Sequence, residues 1–261
     1  MQKLNHLYRI LATGLCFVVF GIGAVLLSVT VFPLQRLFIC EPERRKQRAR
    51  HTVHLTFRFF IGLMRFVRVF NFDFAADSTL RDARGRIIIA NHPSLIDVVA
   101  LIAMTPQADC VVKAQLFRNP FIRGVINSTG YISNSDPDKL LDDCAASLHK
   151  GNNLIIFPEG TRSTPGEPLM FQRGAANIAL RANRGYLALY IRCQPSTLTK
   201  QEQWYQVPAS KPTLAICYLQ DIQLTAALQQ NPSPSLAARQ LTRELQHFYQ
   251  QAVDQHGFFE T

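Results

Sequence analysis

The sequence predicts an α/β fold, a central sheet flanked by helices, behind an N-terminal membrane-anchoring helix. Three observations lead there. Two short apolar runs, Ile87-Ile88-Ile89-Ala90 and Leu154-Ile155-Ile156-Phe157, each break off abruptly in a turn, as strands buried on both faces of a sheet do. The stretches around them carry apolar residues at helical spacing between Pro, Asp and Gly boundaries. No charged residue occurs from Ile10 to Gln35, and the run from Ile10 to Phe32 is long enough to cross a hydrocarbon core of about 30 Å. The chain has 261 residues, 48% of them hydrophobic, enough for one such segment and one domain with a sizeable core. Three regions are expected: a membrane anchor with a basic juxtamembrane segment over 1–49, an interfacial amphipathic helix over 50–72, and the main domain over 73–261.

The apolar run is too long for the core of a cleaved signal peptide, and no small-x-small cleavage site follows it, so the anchor is expected to be retained. Gly14, Gly21 and Gly23 leave open a re-entrant pair instead of a single span. Arg36, Arg44, Arg45, Lys46, Arg48 and Arg50 follow the run, against Lys3 and Arg9 before it, and the positive-inside rule puts the large C-terminal part in the cytoplasm. From residue 50 onward Arg50, His54, Arg58, Arg65 and Arg68 share one helical stripe, with Leu55, Phe59, Leu63, Phe66 and Phe70 on the far side. Such a helix can lie in the headgroup plane with its arginines on phosphates. The alternative is an ordinary core-facing helix with a solvated charged face.

A formal net charge of +10 asks for an acidic partner, and nucleic acid, anionic lipid or an acidic carrier protein all qualify. No recognition helix, zinc finger or aromatic RNA-binding signature is present, so nucleic acid is not expected. The six cysteines are scattered without CxxC spacing and read as buried, reduced thiols; neither a metal site nor a resident cofactor is expected.

The chemistry concentrates at the ends of the two apolar runs. After Ile87-Ile88-Ile89-Ala90 come Asn91-His92-Pro93-Ser94-Leu95-Ile96-Asp97. An imidazole at a strand tip meets a carboxylate in the first turn of the next helix. Asp97 can then accept a hydrogen bond from one ring nitrogen of His92, leaving the other free as a base. A His near an Asp is by itself ordinary; the second run makes it a candidate site. It ends in Pro158-Glu159-Gly160-Thr161-Arg162-Ser163, and two strand tips bearing His, Asp, Glu and Arg would meet on one edge of an α/β sheet.

Further elements follow the same signals. A helix is expected from Pro93-Ser94 to about Met104, a strand at Cys110-Val111-Val112 leading into Lys113, and a helix from Asp136-Pro137 to Gly151. Gln172-Arg173-Gly174 opens another helix to about Asn183. Tyr186 to Ile191 and Thr213 to Tyr218 read as strands. A closing helix from Ser235 to about Asp254 carries Leu241, Leu245, Phe248 and Ala252 on one face, the spacing of core packing. The loop from Pro195 to Pro212, with Trp204 and Tyr205, is long enough to suspect a lid or a lipid contact.

The segments Asn91–Asp97 and Phe157–Ser163 resemble the first and third signature motifs of the 1-acylglycerol-3-phosphate acyltransferase family, in the family's order. The resemblance covers roughly residues 85 to 190 and implies a mixed sheet of the glycerolipid acyltransferase type. It implies acyl transfer from a thioester, on coenzyme A or an acyl carrier protein, to a hydroxyl of a lipid acceptor such as a lysophospholipid. It also implies a bacterial inner membrane as the setting. His92 would be the general base and Asp97 its orienting partner. Glu159, Gly160, Thr161 and Arg162 would shape the acceptor site, Arg162 offering a planar fork to a phosphate. Lys113 opens a segment similar to the family's lysine-leucine-proline-glycine stretch and would add a second cation. No G-x-S-x-G elbow occurs, so direct attack without an acyl-enzyme is expected.

Two departures mark a divergent branch. Gly130-Tyr131-Ile132 is followed by Ser133-Asn134-Ser135-Asp136, with no arginine where the family's second motif has one. Leu187-Ala188-Leu189-Tyr190-Ile191 lacks the fourth motif's prolines. An acceptor without glycerol phosphate, such as an ornithine-type or aryl polyene-type lipid, and a non-catalytic lipid-binding role both stay open. Hydrolysis by the same base acting on water is a third reading.

Overall fold

The computed structural model describes residues 2–230 and 232–256. The chain opens with α1 (Gln2–Leu26), which runs through a π-helical turn (Leu27–Val31) into α2 (Phe32–Phe38) and then, after a short turn, α3 (Pro42–Phe66). The π turn has a local cause. Pro33 lies in the first turn of α2, lacks an N–H and crowds the carbonyl one turn earlier, and widening the helix relieves both problems. The Phe32 N–H reaches the carbonyl of Leu27, and the hydroxyls of Ser28 and Thr30 bond back to Ala24 and Leu26.

Helices α1 and α2 form one continuous rod from Lys3 to Phe38, apolar and long enough to cross a membrane. No re-entrant bend occurs at the glycines; Gly14 instead gives room to Trp204, whose ring a Cβ there would meet at 3.1 Å. The rod lies antiparallel along α3. The Tyr8 hydroxyl donates to the carbonyl of Val67, Phe20 packs on Phe57 and Phe60, and the Gln35 amide donates to Thr52. Its outward face is apolar, with Leu4, Leu11, Leu15, Val18, Ile22 and Leu37 exposed.

The expected interfacial helix begins earlier than residue 50 and its charged stripe does not all face headgroups. Arg50 and His54 are buried. The Arg50 guanidinium pairs with Asp109 at 2.7 Å and donates to the carbonyl of Thr129, while His54 Nδ1 meets the carbonyl of Ile102 at 2.8 Å. Val53, Phe60, Ile61 and Met64 on the same side enter the core. Besides Arg58 and Arg65, α3 exposes Leu55, Phe59 and Phe66, which continue the apolar face of the rod. The charged stripe expected from helical periodicity splits: Arg58 and Arg65 are exposed, while Arg50 and His54 turn inward because partners elsewhere in the chain satisfy them.

The main domain follows as β1 (Asn71–Asp73), α4 (Asp77–Asp82), β2 (Ile87–Ala90), α5 (Asp97–Met104), β3 (Ala108–Val112), a 3₁₀ turn (Ala114–Arg118), α6 (Arg123–Thr129), β4 (Ile132–Ser133), α7 (Pro137–His149), β5 (Asn153–Ile156), α8 (Gly174–Ala182), β6 (Tyr186–Gln194), β7 (Thr213–Ile222), α9 (Ala226–Gln229) and α10 (Pro234–His256). Seven strands form one mixed sheet in the order β1-β7-β6-β2-β5-β3-β4. Strands β2 to β6 are parallel, and β7 runs antiparallel to β6. The central strands are apolar on both faces because both are covered. Ile88, Ala90, Ile155, Leu187 and Leu189 point into the layer of α3 and α5, while Ile87, Ile89, Leu154, Ile156 and Ala188 point into the layer of α7, α8 and α10. The carboxyl ends of β2, β3, β4 and β5 therefore share one edge, where such sheets carry their sites. The closing helix buries Leu241, Leu245 and Ala252, and its Tyr249 hydroxyl bonds the carbonyls of Ile89 and Leu189.

Candidate active site

Strand β2 stops at Asn91 because its side chain takes over the ladder. The Asn91 amide donates to the carbonyl of Ile191 and accepts from the Ile191 N–H, both at 2.8 Å. The chain then turns at Pro93 and enters α5, with Asp97 as its first residue. His92 Nδ1 and Asp97 Oδ2 are 2.9 Å apart. The same oxygen accepts the Ser94 N–H at 2.7 Å, which fixes the carboxylate against the turn. An ionised Asp97 accepts the Nδ1–H of His92 and leaves a bare lone pair on Nε2. The imidazole stacks on Phe157 with ring centroids 4.1 Å apart and keeps 14% of its side chain exposed, so the ring is braced but reachable.

Asp97 is fully buried. Burial pushes its carboxyl above the ordinary range, and the His92 hydrogen bond, the Ser94 N–H and the Arg162 charge pull it back. Those three contacts favour the anion that the imidazole needs as its partner.

The β5 tip closes the other side. Gly160 has φ +67, the left-handed conformation that glycine adopts without cost, and its N–H bonds the carbonyl of Phe157. Glu159 Oε1 accepts the main-chain N–H of His92 at 2.9 Å and the Ser163 hydroxyl at 2.8 Å. The Ser163 N–H in turn donates to the carbonyl of His92 at 2.7 Å. Glu159 therefore grips the backbone of His92. Burial raises its carboxyl pKa, against the lowering effect of the Ser163 and His92 donors.

Arg162 lies beside this clamp with one arm committed. Its Nη1 donates to the carbonyls of Leu198 at 2.8 Å and Thr199 at 2.7 Å. Nε and Nη2 bond no other described residue and can still meet an anion. Thr161 is half-exposed at the same turn. Lys113 is exposed at the end of β3, two strands from β2, hence about 10 Å across the sheet edge. The tip of β4 is next to it, where Asn134 Oδ1 accepts the Ala114 N–H and Asp136 caps α7.

Sequence reasoning missed four supports of this site: Asn91, Ser94, Phe157 and Ser163. All four stand inside the two quoted motifs, so the signal was there, but their partners were not. The loop after β6, suspected from its length as a lid or a lipid contact, packs on the His92 turn. The Ser94 hydroxyl bonds the carbonyl of Thr197, the Leu95 N–H bonds that of Leu198, and Trp204 further along packs on Phe17 of α1.

Residues 71–198 match the family described as Acyltransferase. A 1-acyl-sn-glycerol-3-phosphate acyltransferase from Helicobacter pylori is 37% identical over 105 residues, 38% of this chain and 44% of that protein. Residues 71–198 are thus an acyltransferase-family domain. The human beta enzyme of the same description is 28% identical over 135 residues, 49% of this chain and 46% of that one. These matches span less than half the length of either relative. The crystal structure of the acyltransferase PlsC from Thermotoga maritima superposes with a TM-score of 0.61 over 96% of this chain and 98% of that one, at 17% identity. The acyltransferase fold thus extends through the N-terminal helices.

Proposed function

We propose that this acyltransferase domain moves an acyl chain from a thioester to the hydroxyl of a lysophospholipid, with His92 as general base and no acyl-enzyme. The observation that carries the reading is the His92–Asp97 contact, which fixes one ring nitrogen and leaves the other bare at a reachable sheet edge. Nε2 takes the proton of the acceptor hydroxyl as its oxygen attacks the thioester carbonyl. The tetrahedral adduct collapses with cleavage of the C–S bond, and the leaving sulfur takes the proton from the imidazolium. The donor is a coenzyme A or carrier-protein thioester, both acidic and suited to a chain of charge +10.

The acceptor most in keeping with the relatives is 1-acylglycerol-3-phosphate. Its phosphate would be met by the uncommitted nitrogens of Arg162 and by Lys113, because the β4 tip offers Ser133, Asn134, Ser135 and Asp136 and no arginine. Membrane attachment would use the exposed apolar faces of α1, α2 and α3. A rod of about 54 Å packed lengthwise on its own domain favours lying in one leaflet over crossing the bilayer, on the cytoplasmic face of a bacterial inner membrane.

Purified protein in detergent, given labelled acyl thioester and lysophosphatidate, is expected to move the label into phosphatidate. Label released as free fatty acid whether or not acceptor is present would indicate a hydrolase. No product from folded protein would move the acceptor to a lipid without glycerol phosphate.

A further inference from the structure

A second cationic site lies away from His92, where the start of α1, the end of α3 and the loop before β7 converge. Asn5, Tyr8, Arg9, Phe66, Arg68 and Ala209–Lys211 line a cleft of about 740 Å³ there. Three cations line it and no carboxylate does. None of Arg9, Arg68 and Lys211 belongs to an ion pair among the described residues.

Arg9 is the telling member. It is only 4% exposed, an unusual place for an arginine without an acid. Its Nη2 donates to the carbonyls of Pro208 and Ala209, at 2.5 and 2.8 Å, but buried Nε and Nη1 have no partner among the described residues. Buried guanidinium N–H groups left unpaired are costly unless a ligand takes them. A phosphate oxygen accepts from a guanidinium edge in this geometry. Arg68 closes α3 with φ +54, a conformation disfavoured for a side chain, and brings a second guanidinium to the rim.

The apolar surroundings identify the kind of phosphate. Phe66 is 84% exposed at the cleft, and Leu4 and Leu7 are exposed beside it on α1, at the end of the apolar face shared by α1, α2 and α3. A soluble phosphate would have no use for that border. We infer that the cleft holds the phosphate of an anionic membrane phospholipid, with its acyl chains along the exposed face of α1, as a site separate from the acyl-transfer centre. The inference rests on the membrane association proposed above.

The test compares binding of the full chain to vesicles of phosphatidylcholine alone and of phosphatidylcholine with phosphatidylglycerol. The double variant Arg68→Gln/Lys211→Gln removes two cations, one exposed and one half-buried, from the cleft. The control Arg44→Gln/Arg48→Gln removes two exposed cations from the opposite end of α3. Thermal unfolding in detergent checks that each remains folded. The unaltered chain is expected to prefer the anionic vesicles, and the cleft variant to lose about tenfold or more of that preference while the control loses much less. Equal losses would assign the preference to general surface charge and overturn the site. Binding to both vesicles without preference would overturn the site and leave membrane association standing, and binding to neither would overturn both. Stabilisation by inorganic phosphate that the cleft variant abolishes, without any preference for anionic vesicles, would reassign the cleft to a soluble phosphate.

Discussion

His92 depends on contacts from three directions. Asp97 fixes its ring, Phe157 braces its face, and Glu159 with Ser163 holds its main chain. The contact of His92 with Asp97 is legible in the sequence, because both partners stand within one turn of chain. The role of Glu159 is not, because its partner is the His92 N–H, 67 residues away. Glu159 also supplies a test with a defined sign. Its folded-state pKa is raised above the ordinary 4.5, so the folded protein holds that proton more tightly than the unfolded chain. The associated stability is present at acid pH and is lost as pH rises through the folded value. Glu159→Gln keeps an acceptor oxygen for His92 and Ser163 but removes the ionisation. Its melting temperature relative to the unaltered protein is therefore expected to climb by a few degrees between pH 4.5 and 7.5. An offset that does not change with pH would mean that Glu159 titrates normally.

Among the elements, α3 diverges most from its sequence reading. Amphipathic spacing makes it a helix, but periodicity alone cannot say which arginines turn inward. Arg50 enters the interior because Asp109 of β3 and the carbonyl of Thr129 meet it there. Asp109 in turn accepts the Ser147 hydroxyl of α7 at 2.7 Å, so the pair ties α3, β3 and α7 together. Removing one partner leaves a buried charge without compensation. Arg50→Met is expected to cost about 3–5 kcal/mol in unfolding experiments in detergent, and Arg50→Met with Asp109→Leu to recover much of that loss. A single variant as stable as the parent would show that the pair carries no structural load. The motif loops and most helices and strands are legible because local chemistry decides them, as at the Asp136-Pro137 start of α7. The short edge strands β1 and β4 are not, since β1 has three residues and β4 two, and both form only against longer neighbours.

At the scale of the whole molecule, hydropathy announces an apolar segment but not its direction. The rod of α1 and α2 has the length and hydropathy of a span, and the contacts of Tyr8, Phe20 and Gln35 lay it against α3, which supports the single-leaflet placement proposed above. Lying in one leaflet puts the N-terminus on the same side of the membrane as the main domain. An N-terminal tag is accordingly expected to be cleaved by protease only where the main domain is also accessible; cleavage from the opposite side would restore a crossing helix. The rod also joins the His92 turn. Arg9 and Trp204 hold the loop after β6 to α1, and the same loop bonds Ser94, Leu95 and Arg162. The central claim is that all of this presents His92 Nε2 to a lipid hydroxyl. Its most direct test is the rate of acyl transfer to lysophosphatidate by His92→Ala, measured beside the unaltered protein and after checking that the variant melts normally. A fall of about 10²–10⁴-fold or more is expected of a lost general base. Turnover within a few-fold of the parent would contradict it.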